Sequence, residues 1–203
     1  KFVKTDYAQG KQNKPELSVQ GVMARIYEIN TKNYDDKGFF RASKIMMPKL
    51  DSYKSRMATQ VECLRLPHSV PQDDLEQQCK GFYRFNGWMY MDKEGVYRFS
   101  VNSCGPVTFD IAGRVVIEQI GVFHQQQSVR SGEVALGKGW HPYELVICDP
   151  LYWNINSLDP MPFEVTCGVG GEEMKNISAD KLCYVPLPAV KLLGEAPVPS
   201  LDL

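Results

Sequence analysis

The chain lacks the motifs that mark the commonest enzyme classes. Its 203 residues contain no C-x-x-C pair, no H-E-x-x-H, no G-x-S-x-G and no phosphate-binding glycine loop. Zinc-ribbon, thioredoxin, metalloprotease, serine-hydrolase and P-loop chemistry therefore receive no support. Carboxylate pairs form only in space, so a hydrolase with two carboxylates facing each other at about 5–9.5 Å stays a minor alternative.

The chain also lacks a large net charge and a long apolar run. The chain has 23 Lys and Arg against 24 Asp and Glu, a net charge of -1, and so no long-range field that would hold nucleic acid. No apolar stretch approaches the roughly 20 residues that cross a bilayer. The sequence predicts no nucleic-acid partner and no membrane span.

The cysteines form an even set without metal-ligand spacing: Cys63, Cys79, Cys104, Cys148, Cys167 and Cys183. Six cysteines allow 15 disulfide connectivities. Several of them lie inside strand patterns, where a free buried thiol behaves as an ordinary small apolar side chain. Paired and free states both stay open.

Alternating strands are the clearest feature that is present. Residues 95–122 read GVYRFSVNSCGPVTFDIAGRVVIEQIGV, and successive side chains of a strand point to opposite sides. Tyr97, Phe99 and Val101 therefore share one face. Val107, Phe109 and Ile111 share another after the Gly105-Pro106 break, and Ala112-Gly113 then reverses the chain into residues 114–117. The pattern predicts an antiparallel hairpin with one buried face.

Further strands come at roughly ten-residue intervals from residue 81 onward, with glycine or proline between them. Two of them, residues 132–136 and 141–148, lie around the Gly137-Lys138-Gly139 turn. We predict an all-β fold, an antiparallel barrel or sandwich, with minor helical content before residue 81. Residues 1–18 read as a polar linker or arm, residues 19–187 as the β domain and residues 188–203 as a proline-rich extended tail.

The order of these pieces resembles the PA14 domain family, named after the anthrax toxin protective antigen. The matching pieces are GVYRFSV, NSCG, VTFDIAG, RVVIEQ, His124, SGEVALGKG and WHPYELVI, with a weaker match at GVMARIYE. The resemblance implies a PA14-like topology. It also implies a non-catalytic module that binds carbohydrate, or positions a neighbouring catalytic domain, in a secreted or cell-surface protein, often beside a glycoside hydrolase.

One departure from the family concerns calcium. The sugar-binding branch holds calcium with two neighbouring aspartates in the turn after the aromatic strand, and calcium takes six to eight oxygen ligands. Here those positions are Cys104 and Gly105, which supply no carboxylate. We therefore expect no metal and no cofactor, and we interpret the nearby Asp110 as an outward-facing charge on a strand.

Aromatic side chains in loops are the candidate sugar contacts, because their rings stack on the apolar faces of pyranoses and offer a polar tip. We expect ligand contacts from the loops that carry Trp140, Tyr152, Trp153, His124 and residues 125–127, which include Gln125 and Gln127. Trp88 is expected in the core, and His141 is expected to end an inward-facing row.

The alternative function is a structural or protein-interaction domain without a glycan ligand. The missing aspartates fit this reading, and the polar arm and the proline-rich tail have the composition of joints between domains. Its partner would be another protein or a neighbouring domain of the same parent chain.

Overall fold

The computed structural model describes residues 6–28, 55–61, 64, 81–103, 106–119, 128–148 and 163–186. Its strands form two antiparallel sheets, one of eight strands and one of four. The all-β prediction is confirmed, in the form of a sandwich. Most of the region where helical pieces were predicted, before residue 81, lies outside the described residues.

Twelve strands and one short 3₁₀ turn make up the described part. The strands are β1 (Val19–Gln20), β2 (Val22–Glu28), β3 (Ser55–Val61), β4 (Gly81–Met91), β5 (Gly95–Ser103), β6 (Val107–Ile111), β7 (Arg114–Gln119), β8 (Ser128–Leu136), β9 (Gly139–Cys148), β10 (Glu164–Val169), β11 (Lys175–Asn176) and β12 (Leu182–Tyr184), and the 3₁₀ turn is Ala179–Lys181. The larger sheet runs β1-β12-β4-β9-β6-β7, with β2 also on β4 and β3 on β2. The smaller sheet runs β11-β10-β5-β8.

The core lies between the two sheets and follows the predicted alternation. In β5 and β6 the inward residues are at most 5 % exposed, and they are Tyr97, Phe99, Val101, Val107, Phe109 and Ile111. The two strands belong to different sheets. The rings of Phe99 and Phe109 meet across the core with centroids 5.0 Å apart, so the aromatic pair joins the sheets.

The predicted hairpin is β6–β7, and its turn has left-handed backbone at both central positions. Ala112 has φ of 54° and Gly113 has φ of 71°, as a two-residue type I′ turn requires. Glycine adopts this conformation without steric cost. The Ala112 amide donates to the carbonyl of Pro142 at 2.8 Å, which ties the turn to β9.

The Gly137-Lys138-Gly139 turn connects the two sheets rather than closing a hairpin, because β8 pairs with β5 and β9 pairs with β4 and β6. The N-terminal segment, residues 6–18, crosses this turn. Ala8 exchanges backbone hydrogen bonds with Ala135 and Gly137, and Lys11 exchanges two with Trp140, all between 2.8 and 3.0 Å. The described part of the predicted arm is therefore packed against the sandwich.

The two sheets come close together where Gly132 of β8 faces Val116 of β7. A Cβ atom there would overlap the backbone carbonyl oxygen of Val116 in β7 and touch its side chain. Only glycine lets these two edge strands come so near to each other.

Gly132→Ala is expected to lower the free energy of unfolding by about 1–3 kcal/mol, because the added methyl group forces β7 and β8 apart. Urea denaturation measures the change. Gly113→Asn is the control: a Cβ there meets nothing within 4 Å, and asparagine tolerates positive φ. Equal effects of the two substitutions would contradict the close approach of β7 and β8.

Candidate functional site

The ends of β5, β6, β7, β8 and β9 meet at one end of the sandwich, which we call the Ser103 end. Ser103 of β5 pairs with Ser128 of β8. In the other sheet, Val107 pairs with both Gln119 of β7 and Ile147 of β9. These ends flank three segments outside the described residues: residues 104–105, which hold the calcium-turn positions, residues 120–127 and residues 149–162. The described residues that border the two segments holding Tyr152, Trp153, His124, Gln125 and Gln127 lie at this end.

A buried arginine fixes two of these strand ends. Arg130 of β8 is 9 % exposed, and its Nη1 donates to the carbonyl oxygen and to Oγ of Ser103 at 2.8 and 2.9 Å. Its Nε donates to Oε1 of Gln119. Hydrogen bonds from a charged donor are the stronger kind. Arg130 thus holds the end of β5 against the end of β7, at the roots of the loops predicted to carry the site.

The sequence analysis did not single out Arg130, although a signal was present. In β8 the inward row consists of Arg130, Gly132, Val134 and Leu136, and a charged residue in such a row is almost never buried without partners. Since the partners come from β5 and β7, the pairing itself could not be read from the sequence.

Trp140 lies at the opposite end of the sandwich from the Ser103 end. It is the second residue of β9 and pairs with Tyr90 near the end of β4, and the two rings pack with centroids 5.2 Å apart. The side chain is 8 % exposed, and Lys14 Nζ lies 5.9 Å from its ring centroid. Trp140 is therefore a strand residue covered by the N-terminal segment, not an open loop platform. The other five predicted contacts lie outside the described residues and stay predictions.

Trp88 occupies a different place from the one predicted. It lies on the outer face of β4, half-buried, because β4 directs Tyr83, Phe85, Met89 and Met91 into the core instead. Lys11 Nζ lies 4.4 Å from the Trp88 ring centroid, a cation–π distance. The expectation of a core role was wrong in register: Trp88 is one residue out of phase with the inward row.

Histidine and tyrosine side chains in the inward row of β9 are fully buried. His141 ends that row as predicted, 0 % exposed, with Nε2 hydrogen-bonded to the carbonyl of Gly137 at 2.8 Å. Its Nδ1 and the Tyr143 hydroxyl have no hydrogen-bond partner among the described residues. Burial raises the pKa of Tyr143, so this tyrosine stays neutral.

Asp110 lies in a row of carboxylates on the outer face of the larger sheet. It stands opposite Glu144 in the β6–β9 register, while Glu144 also accepts from Arg84 Nε at 2.7 Å. Burial, followed by the charges of Glu144 and Glu118, raises the pKa of Asp110. In the part of the chain that the structure describes, no group of three or more His, Cys, Asp or Glu side chains could hold a metal ion.

Asp110→Asn is expected to raise the free energy of unfolding at pH 7 by about 0.2–1 kcal/mol, because it removes a half-buried charge that also faces the like charge of Glu144 across the strands. A raised folded-state pKa means that the ionised carboxylate opposes folding above that pKa. The gain should fade as the pH falls towards the ordinary aspartate value of about 3.9. Urea denaturation at both pH values measures this; a gain independent of pH would contradict the electrostatic cause.

Two further findings describe the thiols and the helices. Cys167 and Cys183 are free, and burial raises the pKa of Cys167 to about 11. Across the described ranges, no helix is both long and apolar enough to cross a membrane.

Comparison by sequence finds no relative: no family profile and no curated protein matches the chain. Comparison by structure finds several matches. The PA14 domain of the MpAFP antifreeze protein matches with a TM-score of 0.60 and 13 % identity, over 86 % of this chain and 95 % of that one. A PA14 sugar-binding domain from an RTX adhesin matches with a TM-score of 0.58 and 16 % identity, over 82 % and 99 %.

A third match is an anti-sigma factor domain-containing protein, with a TM-score of 0.60 and 14 % identity over 85 % of this chain. The chain spans about half of that protein's length, 50 %. At these identities the comparisons concern the fold alone. The two-sheet sandwich described here is the fold of PA14 domains.

Proposed function

We propose that the chain is a non-catalytic carbohydrate-binding module of a secreted or cell-surface protein. The observation that carries the proposal is the shared fold: a domain described as sugar-binding aligns over 99 % of its length with 82 % of this chain. In its parent protein the module would bind glycans directly or hold a neighbouring catalytic domain, such as a glycoside hydrolase, on its substrate.

The Ser103 end is the proposed binding surface. The described strand ends there border the segments that carry Tyr152, Trp153, His124, Gln125 and Gln127, and Arg130 joins two of those ends. A rigid frame under variable loops is the usual way in which a β-sandwich presents a site. Trp140 lies at the opposite end of the sandwich and is not part of this proposed surface.

Binding is proposed to be independent of calcium, because Cys104 and Gly105 occupy the positions where the sugar-binding branch has its aspartates. Without a metal, affinity would come from ring stacking and from hydrogen bonds of histidine and glutamine side chains to sugar hydroxyls.

A glycan array probed with the whole chain, in calcium and again with a chelator, tests both parts of the proposal. We expect the same set of glycans to be retained in both conditions. Binding abolished by the chelator would overturn calcium independence. An array without any retained glycan would overturn the carbohydrate function and favour the structural or protein-interaction alternative.

Trp153→Ala is expected to weaken the affinity for an array-selected glycan by up to about tenfold, since an aromatic stacking contact contributes about 0.5–1.5 kcal/mol. Trp153→Phe keeps a ring and is the matched control, expected to retain most of the affinity. Titration calorimetry measures both variants. An unchanged affinity in the alanine variant would remove Trp153 from the site.

A further inference from the structure

A cleft of about 690 Å³ opens between the two sheets at the end opposite to Ser103. It lies between the end of β4, the β4–β5 turn, the β10–β11 hairpin and the 3₁₀ turn. Its volume falls within the range of about 300–1,000 Å³ that is typical of small-molecule sites. Six residue steps along β5, from Tyr97 in its wall to Ser103, separate it from the Ser103 end by roughly 20 Å at about 3.3 Å per residue.

The inner wall of the cleft is apolar. It is formed by core side chains that are each at most 8 % exposed, among them Met89, Met91, Val169 and Ile177. Tyr97 adds an aromatic wall, and its hydroxyl donates to the carbonyl of Lys93 at 2.7 Å, which holds the β4–β5 turn in place. A ligand in the cleft would therefore rest on a preformed apolar surface.

The mouth of the cleft carries an equal number of positive and negative side chains: Lys93, Lys175, Lys181, Asp92, Glu172 and Glu173. Lys93 pairs with Glu172 at 2.5 Å, and Lys181 pairs with Asp92. Lys175 Nζ lies 4.0 Å from Glu173. Each of the three ammonium groups thus faces a carboxylate, and the opening has no net charge.

We propose that this cleft is a second binding site, which takes a short neutral saccharide. A sugar hydroxyl both donates and accepts, so it can bridge a lysine and a carboxylate at once, and hydrogen bonds to charged groups are the stronger kind. The apolar side of a pyranose would contact the edges of the inner-wall side chains that remain exposed at the cleft, such as those of Val169 and Ile177. The lining residues come from β4, β5, β10, β11, the turns between them and the 3₁₀ turn, and none of them is a candidate sugar contact at the Ser103 end.

Charge balance selects the ligand class. Each lysine at the mouth already faces a carboxylate, so an anionic ligand would have to compete with Asp92, Glu172 or Glu173. A cationic ligand would have to compete with the lysines for the carboxylates. The Cys167 thiol in the wall adds no charge at pH 7, since burial raises its pKa to about 11. A neutral polyhydroxylated ligand uses both kinds of group without leaving a charge unpaired.

This second site rests on the proposed carbohydrate function, but it lies at the opposite end of the sandwich from the Ser103 end. An amide-resolved NMR titration of the isotope-labelled whole chain separates the two sites. The probes are methyl glycosides and disaccharides of glucose, galactose and mannose, with glucuronate and glucosamine as charged comparisons. We expect neutral sugars to shift the amides of Lys93, Gly168 and Glu172.

Glu172→Gln is expected to weaken binding at the cleft about fivefold to tenfold, because it replaces a charged acceptor with a neutral one of the same shape. The Glu172 side chain is 59 % exposed, and exposed ion pairs contribute little to stability, so the variant should fold. Glu133→Gln, at an exposed carboxylate of β8 outside the cleft, is the matched control and should bind normally.

Three results would overturn the cleft site. Shifts confined to amides near Ser103, Gln119 and Val129 would leave the carbohydrate function intact and refute a second site. Tighter binding of glucuronate or glucosamine than of neutral sugars would refute the ligand class. No shift at the cleft with any probe would also refute it, while the glycan array decides the proposed function separately.

Discussion

Burial of the inward faces of β4, β5, β6, β8, β9 and β10 between two sheets is the constraint on which the rest of the molecule depends. Phe99 and Phe109 meet across that interface with ring centroids 5.0 Å apart, and Gly132 lets β7 and β8 approach at its edge. The inner faces of the sheets are occupied by packing, and both proposed sites lie at the ends of the sandwich. The Ser103 end gathers strand termini, and the opposite end holds an open cleft with a charged mouth.

Local patterns predicted much of this architecture from the sequence. The alternation in β5 and β6 and the Ala112-Gly113 turn depend on neighbouring residues, so they were visible along the chain. Sheet membership was not, because it depends on long-range pairing: the Gly137-Lys138-Gly139 turn joins two sheets although its sequence suits a hairpin. Because β9 begins at the end away from Ser103, Trp140 lies far from the strand ends that flank the other predicted sugar contacts. The local sequence did not indicate this.

The candidate sites could be predicted only in part for the same reason. The composition of the segments after β7 and β9 indicated that their aromatic and amide side chains contact sugar. The resemblance to PA14 domains directed attention to the turn after β5. The hydrogen bonds of Arg130 and the lining of the cleft both involve residues that are distant in sequence. Lys93 and Glu172, for example, are 79 positions apart. Electrostatic pairing of that kind leaves no local trace.

Native mass spectrometry of the whole chain mixed with an array-selected oligosaccharide tests the central claim, which is that this sandwich binds a saccharide without changing it. The account predicts a complex whose mass equals that of the protein plus the intact saccharide, with no shorter sugar released on incubation. Protein without bound sugar, or the appearance of cleaved saccharide, would contradict it.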